Sequence, residues 1–336
     1  MAIKRVEIKD FFVFKGEFAL DFCAGINVFI GGNGTGKTTL LRAMYAVQER
    51  SGNLSDFNHI AGYFRGSFSQ DDVNSIFASL KKILLIHSNG SMFGYLSQSE
   101  KKQLLINTDD NGTGFIHKGS ISAFNSVFIP EKDLLSNSKK LPESVEYGEL
   151  QFTRCEIDFI KKARVAAQKP LQPLVKDIYN IIGGTVSNDG EEFYVQRDGI
   201  EKRIPFSMEA SGYRKFGLLA TLIRNEQIKS GTALFWDEPE NSLNPELVPV
   251  LVNILLELSR NGVQIFMATH SEILARYFAI NQQKGDSVMF TTLYKDGEQI
   301  KKDTSNRFDL LEPNNLTTEP VKLYEKEIVK GLNGDG

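Results

Sequence analysis

Apolar and polar positions alternate from the first residues: Ile3, Val6 and Ile8, then Phe12 and Phe14, then Phe18, Leu20 and Phe22. A period of two describes half-buried strands. Lys15-Gly16-Glu17 reads as a turn, so this part predicts two antiparallel strands joined at Gly16. After a turn at Gly25 a denser apolar run, Ile26, Val28, Phe29 and Ile30, marks a buried strand. Leu40, Leu41, Ala43 and Met44 then recur at helical spacing.

The pattern loosens from Ser51 to Pro205. Gly, Ser and Asn are frequent up to Gly119, with strand-like runs such as residues 83–86, which predicts strands and loops of a mixed lobe. Val127-Phe128-Ile129-Pro130 reads as the end of a buried strand, and Glu131 opens something new. Phe152, Cys155, Phe159, Ile160 and Ala163 share a helix face, and residues 174–182 form a second helix capped at Gly183-Gly184. Asp198-Gly199 between residues 192–197 and 201–206 signals a hairpin. Leu218, Leu219, Leu222 and Ile223 mark a helix ending near Lys229-Ser230-Gly231. Two apolar strands, residues 233–236 and 263–268, flank an apolar helix at 248–258, which argues for a parallel sheet with crossovers. A hairpin through Asp296-Gly297 follows, then a polar tail from about Asn306.

Composition narrows the class. The chain has 336 residues, 41% of them hydrophobic, enough for one large α/β domain or two lobes. A net charge of −3 leaves no global basic field for nucleic acid. The N-terminal stretch is charged throughout and no long uncharged apolar run exists, so the expectation is a cytoplasmic protein without a membrane span. Two cysteines, Cys23 and Cys155, provide neither a disulfide framework nor a thiolate metal site.

The candidate chemistry sits at Gly31 to Thr39, GGNGTGKTT, which contains G-x-x-x-x-G-K-[ST] between a strand and a helix. Glycines at Gly31, Gly34 and Gly36, with Asn33 among them, let backbone N–H groups converge on phosphate oxygens, and the helix N-terminus favours the same anion. In this motif Lys37 reaches the β and γ phosphates, and the Thr38 hydroxyl, beside Thr39, ligates Mg²⁺. Further on, four apolar residues lead into Asp237-Glu238, as a buried strand delivering two acids to a site would. His270 ends the next apolar strand. Charge neutralisation at a γ-phosphate and a positioned water are what phosphoryl transfer needs, and Lys37, Mg²⁺, Glu238 and His270 can supply them.

At these residues the sequence resembles the ABC-type ATPases, in the SMC-like and RecF-like branch that also includes the ATPase parts of OLD-type defence proteins. The resemblance covers about residues 1–45 and 204–294. It implies an α/β P-loop NTPase of ABC type, with an N-terminal antiparallel part, a parallel core and an inserted α+β lobe. Residues 1–50 and 205–305 would form the nucleotide-binding domain, 51–204 an inserted lobe for partner or substrate contact, and 306–336 the polar tail. Gly31 to Thr39 looks like Walker A, and residues 233–238 like Walker B, with Asp237 holding Mg²⁺ and Glu238 polarising the attacking water. Residues 210–215 look like a divergent signature, in which Ser211 and Gly212 would meet ATP bound by an opposite subunit. Asn241 to Pro245 looks like the D-loop and His270 like the switch histidine. Tyr213 and Arg214 replace the usual second glycine and Gln or Glu, and Asn244 replaces an Asp. These departures bear on coupling and turnover more than on ATP binding. Gln98 and Gln168 are the candidates for the Q-loop residue.

The resemblance implies an ATPase that forms a homodimer or a higher even oligomer through ATP, acting as a clamp or switch in DNA maintenance or phage defence with a separate effector protein. The alternative is an occupancy sensor that grips DNA or an effector with little turnover. A transporter subunit fits less well. For the helix near residue 160, with Arg154, Lys161, Lys162, Arg164 and Lys169, a solvated face and a DNA contact both stand. Likewise, the aromatics at Phe11 and Phe12, with Lys15, lie beside the nucleotide base or fill the core.

Overall fold

A computed structural model describes residues 2–49, 63–64, 82–88, 91–97, 106–108, 114–116, 125–136, 152–167 and 172–332. Gln98, Gln168 and Lys169 lie outside the described residues. Strands β1 (Ile3–Phe11) and β2 (Phe14–Asp21) pair antiparallel with Val6 opposite Leu20 and Ile8 opposite Phe18. Their turn is Phe12-Val13, not Gly16, because Phe11 pairs with Phe14. Phe12 takes a φ of +53° there, while Gly16, at +70°, sits inside β2. The left-handed backbone costs Phe12 about 1–2 kcal/mol. Its ring lies 4.8 Å from Phe11 and 4.9 Å from Phe64, and two such pairs offset that cost at about 0.5–1.5 kcal/mol each.

The main sheet is built from β3 (Ile26–Gly31) and later strands. Between them come β4 (Lys82–Ser88), β5 (Ser91–Ser97), the small pair β6 (Ile106–Thr108) and β7 (Gly114–Ile116), and β8 (Ser126–Ile129). After these come β9 (Gly184–Asn188), β10 (Phe193–Arg197), β11 (Ile204–Pro205), β12 (Ala233–Asp237), β13 (Gln264–Ala268), β14 (Val288–Asp296) and β15 (Gln299–Ser305). The six-stranded order is β15-β14-β3-β13-β12-β8, with β15 alone antiparallel to its neighbour. Every residue of β3, β8, β12 and β13 is buried, as a parallel sheet covered on both faces requires.

Some described strands from the expected inserted lobe, residues 51–204, pair with strands outside it. β8 pairs in parallel with β12, inside the main sheet. β4 pairs with β1, giving a second sheet ordered β2-β1-β4-β5. Such pairings join segments far apart in sequence, and a local pattern carries no trace of them. A third sheet, β11-β10-β9, contains the expected hairpin at Asp198-Gly199 and adds β9.

The helices are α1 (Lys37–Gln48), α2 (Arg154–Ala163), α3 (Pro173–Ile182), α4 (Ser211–Arg224), α5 (Val248–Arg260), α6 (Glu272–Asn281) and α7 (Asn315–Leu332). The main sheet separates two cores. Leu234 and Trp236 of β12 face α3 to α6, while Phe235 shares the other core with α1 and the N-terminal strands. α4 ends at Arg224, before the expected Lys229: Glu226 turns left-handed at φ +60°. Asn225 instead donates to the carbonyls of Lys162, Ala163 and Val165 at the end of α2. The cationic helix also faces inward in part, because Lys162 donates to Glu49 and to the Ser126 carbonyl.

The tail expected from 306 to 336 contains a buried turn and a helix among its described residues. Phe308 is buried against Phe290, Asn314 donates to the Phe308 carbonyl, and α7 follows. Its polar sequence reflects an exposed helix, not a lack of structure. Gln264 stitches the two larger sheets together. Its side chain accepts from the Ile3 N–H at 2.7 Å and donates to the carbonyls of Ile3 and Cys23 at 2.8 and 2.7 Å.

Candidate functional site

The loop between β3 and α1 has the backbone its composition dictates. Gly31 has φ +142°, and a Cβ there would lie 2.2 Å from the Leu293 carbonyl oxygen. Gly36 has φ +92°, and its Cβ would meet Val13 and Phe14 at 2.7 and 2.8 Å. The tip of the first hairpin therefore presses on the loop, while Phe11 is buried in the core beneath it. Asn33 and Gly34 form the exposed crest, and Thr39 is half-buried in the first turn of α1. Lys37 is only 6% exposed and its ammonium donates to the carbonyls of Gly31 and Gly32 at 2.8 and 3.1 Å. Burial pushes its pKa down to about 8, against the opposing pull of Glu238, Asp237 and Glu240.

Sequence-distant groups converge beside it. β12 lies next to β13, which lies next to β3, so the strand ends bring Asp237 and the β13–α6 turn to the loop. Thr38 Oγ1 donates to Asp237 Oδ1 at 3.0 Å. Burial raises the Asp237 pKa, while the Thr38 hydrogen bond and Arg42 work against that shift. A hydroxyl and a carboxylate held together are hard oxygen donors, the sparse protein share of a Mg²⁺ site completed by water and phosphate. They fit the ion. Glu238 follows in a left-handed conformation, φ +48°, with its N–H on the Ala268 carbonyl. Its Oε1 lies 3.5 Å from His270 Nε2. Burial and then Glu131 raise the Glu238 pKa, whereas burial and then Lys37 lower that of His270. A neutral imidazole beside a carboxylate of raised basicity can accept and relay a proton.

Lys37, Thr38, Asp237, Glu238 and His270 thus come together. Ser211 and Gly212 do not join them. They open α4 against the turn after Glu238: Ser211 Oγ donates to the Ser242 carbonyl at 2.9 Å, and a Cβ at Gly212 would meet Leu243 at 3.1 Å. Several site residues were missed by sequence. Glu240 accepts from the Thr269 hydroxyl and the His270 N–H, fixing the turn that carries the histidine. The contiguous Asp-Glu-Pro-Glu run was its only signal. Glu131, just past β8, accepts from Asn241 at 2.7 Å and raises the Glu238 pKa. It was invisible until β8 was known to neighbour β12. Lys215 reaches the carbonyls of Glu238 and Pro239, acceptors that no side-chain pattern marks.

Two family models match the chain. One, described as "AAA ATPase domain", matches residues 1–154, and the other, "AAA domain, putative AbiEii toxin, Type IV TA system", matches residues 124–276. A curated relative, the energy-coupling factor transporter ATP-binding protein EcfA of Methanothermobacter thermautotrophicus, is 27% identical over 116 residues. That match takes in 32% of this chain and spans 35% of the relative's length. Among solved structures, an Smc head bound to the C-winged helix domain of ScpA matches with a TM-score of 0.51 at 13% identity, covering 91% of this chain and 98% of that one. A Smc head with an extended coiled coil, bound to the C-terminal domain of ScpA from Pyrococcus furiosus, gives 0.50 at 13% identity, with 97% and 99% covered. These structural likenesses establish the fold, and the descriptions of the two family models and the name of the curated relative agree with a phosphate-loop ATPase. The chain is a P-loop ATPase whose fold is similar to that of the Smc heads.

Proposed function

We propose that this chain hydrolyses ATP at composite sites, each completed by Ser211 and Gly212 of a second copy, and that the closing and opening of the pair switches a separate effector. The observation that carries this is the placement of Ser211 and Gly212. They are held against the 242–243 turn, not against the loop of Lys37, so each chain presents a phosphate cradle and, apart from it, a helix N-terminus suited to another chain's phosphate. Within one copy, Lys37 and the N-terminus of α1 bind the phosphates, and Thr38 with Asp237 holds Mg²⁺, which supplies charge neutralisation. Glu238 orients and deprotonates the attacking water, and His270 senses the terminal phosphate. Glu238→Gln should slow phosphate release by about 10²-fold or more while leaving ATP bound. It should also convert the protein to a dimer in ATP when followed by light scattering. Unchanged turnover would refute the reading, as would a monomer in saturating ATP.

One observation favours low turnover. Arg214, standing where signatures carry Gln or Glu, is committed to Asp133 and to the Phe206 and Glu209 carbonyls. An occupancy switch follows if steady-state phosphate release is near zero although ATP binds tightly and a partner is recovered by pull-down. The relatives' names supply the context: a toxin system for one family model and a bound ScpA domain for the Smc heads. A protein effector in phage defence or DNA maintenance agrees with both. Among the described residues no helix is long and apolar enough to cross a membrane. DNA contact would show as salt-dependent binding that changes with ATP.

A further inference from the structure

We propose that Lys215 is a positioning residue for Glu238, setting the catalytic carboxylate from the signature helix of the same chain. The inference rests on the reading of Glu238 as the group that activates water. Segment 238–242 contains two non-glycine residues in left-handed conformation, Glu238 at φ +48° and Ser242 at +59°. Side chains rarely adopt that backbone unless surrounding contacts impose it, and such strain concentrates at functional sites.

The first two turns of α4 supply the contacts at both places. Ser211 and Lys215 are four residues apart and so share one face of the helix. Ser211 Oγ donates to the Ser242 carbonyl at 2.9 Å, and Lys215 Nζ donates to the Glu238 and Pro239 carbonyls at 3.3 and 3.0 Å. Pro239 has no N–H of its own to tie down the turn. Burial pushes the Lys215 pKa down to about 8, against the opposing pull of Glu240, Glu131, Asp133 and Glu238 around the ammonium. The helix that offers its N-terminus to a neighbouring copy therefore also grips, one turn later, the peptide units that aim Glu238. A shift of α4 on docking would be passed to the carboxylate through Lys215.

The test measures phosphate release against ATP for Lys215→Met, Lys215→Gln and Glu238→Gln. Lys215→Met should lower kcat by about 10–100-fold, the scale of a misplacement near 1 Å. KM for ATP should stay within about threefold, since the phosphate loop is untouched. Lys215→Gln, which keeps an N–H donor, should recover part of the loss and supplies a second variant if the first folds poorly. Combined with Glu238→Gln, Lys215→Met should cost less than about twofold more, because the two act as a unit. Normal kcat in both Lys215 variants would overturn the inference, as would a fully additive loss in the double variant or a parallel rise in KM. If Glu238→Gln itself leaves turnover unchanged, the proposed function fails. If only the Lys215 variants do, the positioning role alone fails.

Discussion

Replacing Lys162 by Met should cost stability and leave nucleic-acid affinity unchanged. The ammonium lies 2.5 Å from Glu49 Oε1 and 2.5 Å from the Ser126 carbonyl, 3.3 Å from the Tyr45 hydroxyl, and 5.3 Å from the centre of that ring. The two charged side chains are 17% and 21% exposed, so screening is partial. A hydrogen bond to a charged group nets about 1.5–3 kcal/mol, and an exposed ion pair about 0–1. Discounting for exposure and for the Ser126 hydroxyl that still donates to Glu49 at 2.6 Å, the loss comes to about 2–4 kcal/mol. Much of it is the stranded carboxylate, so Lys162→Met with Glu49→Gln should recover about half. Equilibrium urea unfolding of the three variants measures these differences. A Lys162→Met protein within about 0.5 kcal/mol of the parent, binding DNA more weakly with a shallower salt slope, would refute the inward assignment and restore Lys162 to a DNA-facing role.

Two further outcomes are expected. ATP binding at pH 9 should take up close to one proton per site: Lys37, pushed down to about 8 by burial, is mostly neutral in the free protein, and polyphosphate favours its charged form. Titration calorimetry in buffers of different ionisation enthalpy reads this directly, and identical heats in all buffers would contradict it. In the free protein the burial penalty is complete below about pH 8 and is relieved as pH rises toward the ordinary lysine value of 10.5, where the unfolded chain also loses its proton. Gly36→Ala should lower stability by about 2–3 kcal/mol and abolish ATP binding, since its Cβ would strike the hairpin in a left-handed backbone. Gly32→Ala, with nothing within 4 Å of its Cβ, should stay within about 0.5 kcal/mol in the ligand-free protein by the same unfolding assay.

What the sequence makes legible is chemistry confined to one short stretch. The phosphate loop and the acidic strand each carry their own signature, and the structure brings Thr38 within hydrogen-bond reach of Asp237 across the sheet. The strands around them were harder to place, because β8 looks like any apolar tetrapeptide until its parallel partner β12 is known. Positions whose partners are backbone carbonyls left no mark either. Lys162 reads as a cation on a solvated or DNA-facing helix and Lys215 only as the end of the divergent signature, yet both reach carbonyl oxygens inside the fold. The turn at Phe12-Val13 eluded a rule that assigns turns to glycine because aromatic packing, not backbone ease, decided it.

Strand order has a consequence for how the protein is made on the ribosome. β1 with β2 and β4 with β5 are local antiparallel pairs, and β4 can join β1 once residue 97 has emerged. β3 cannot pair by then, since its neighbours are β13 and β14, and the Gln264 stitch that fastens Ile3 arrives at the same late stage. The strand leading into the phosphate loop is therefore synthesised long before the two strands that fix its place. During that interval its apolar edge stands open, the kind of unpaired strand that favours aggregation.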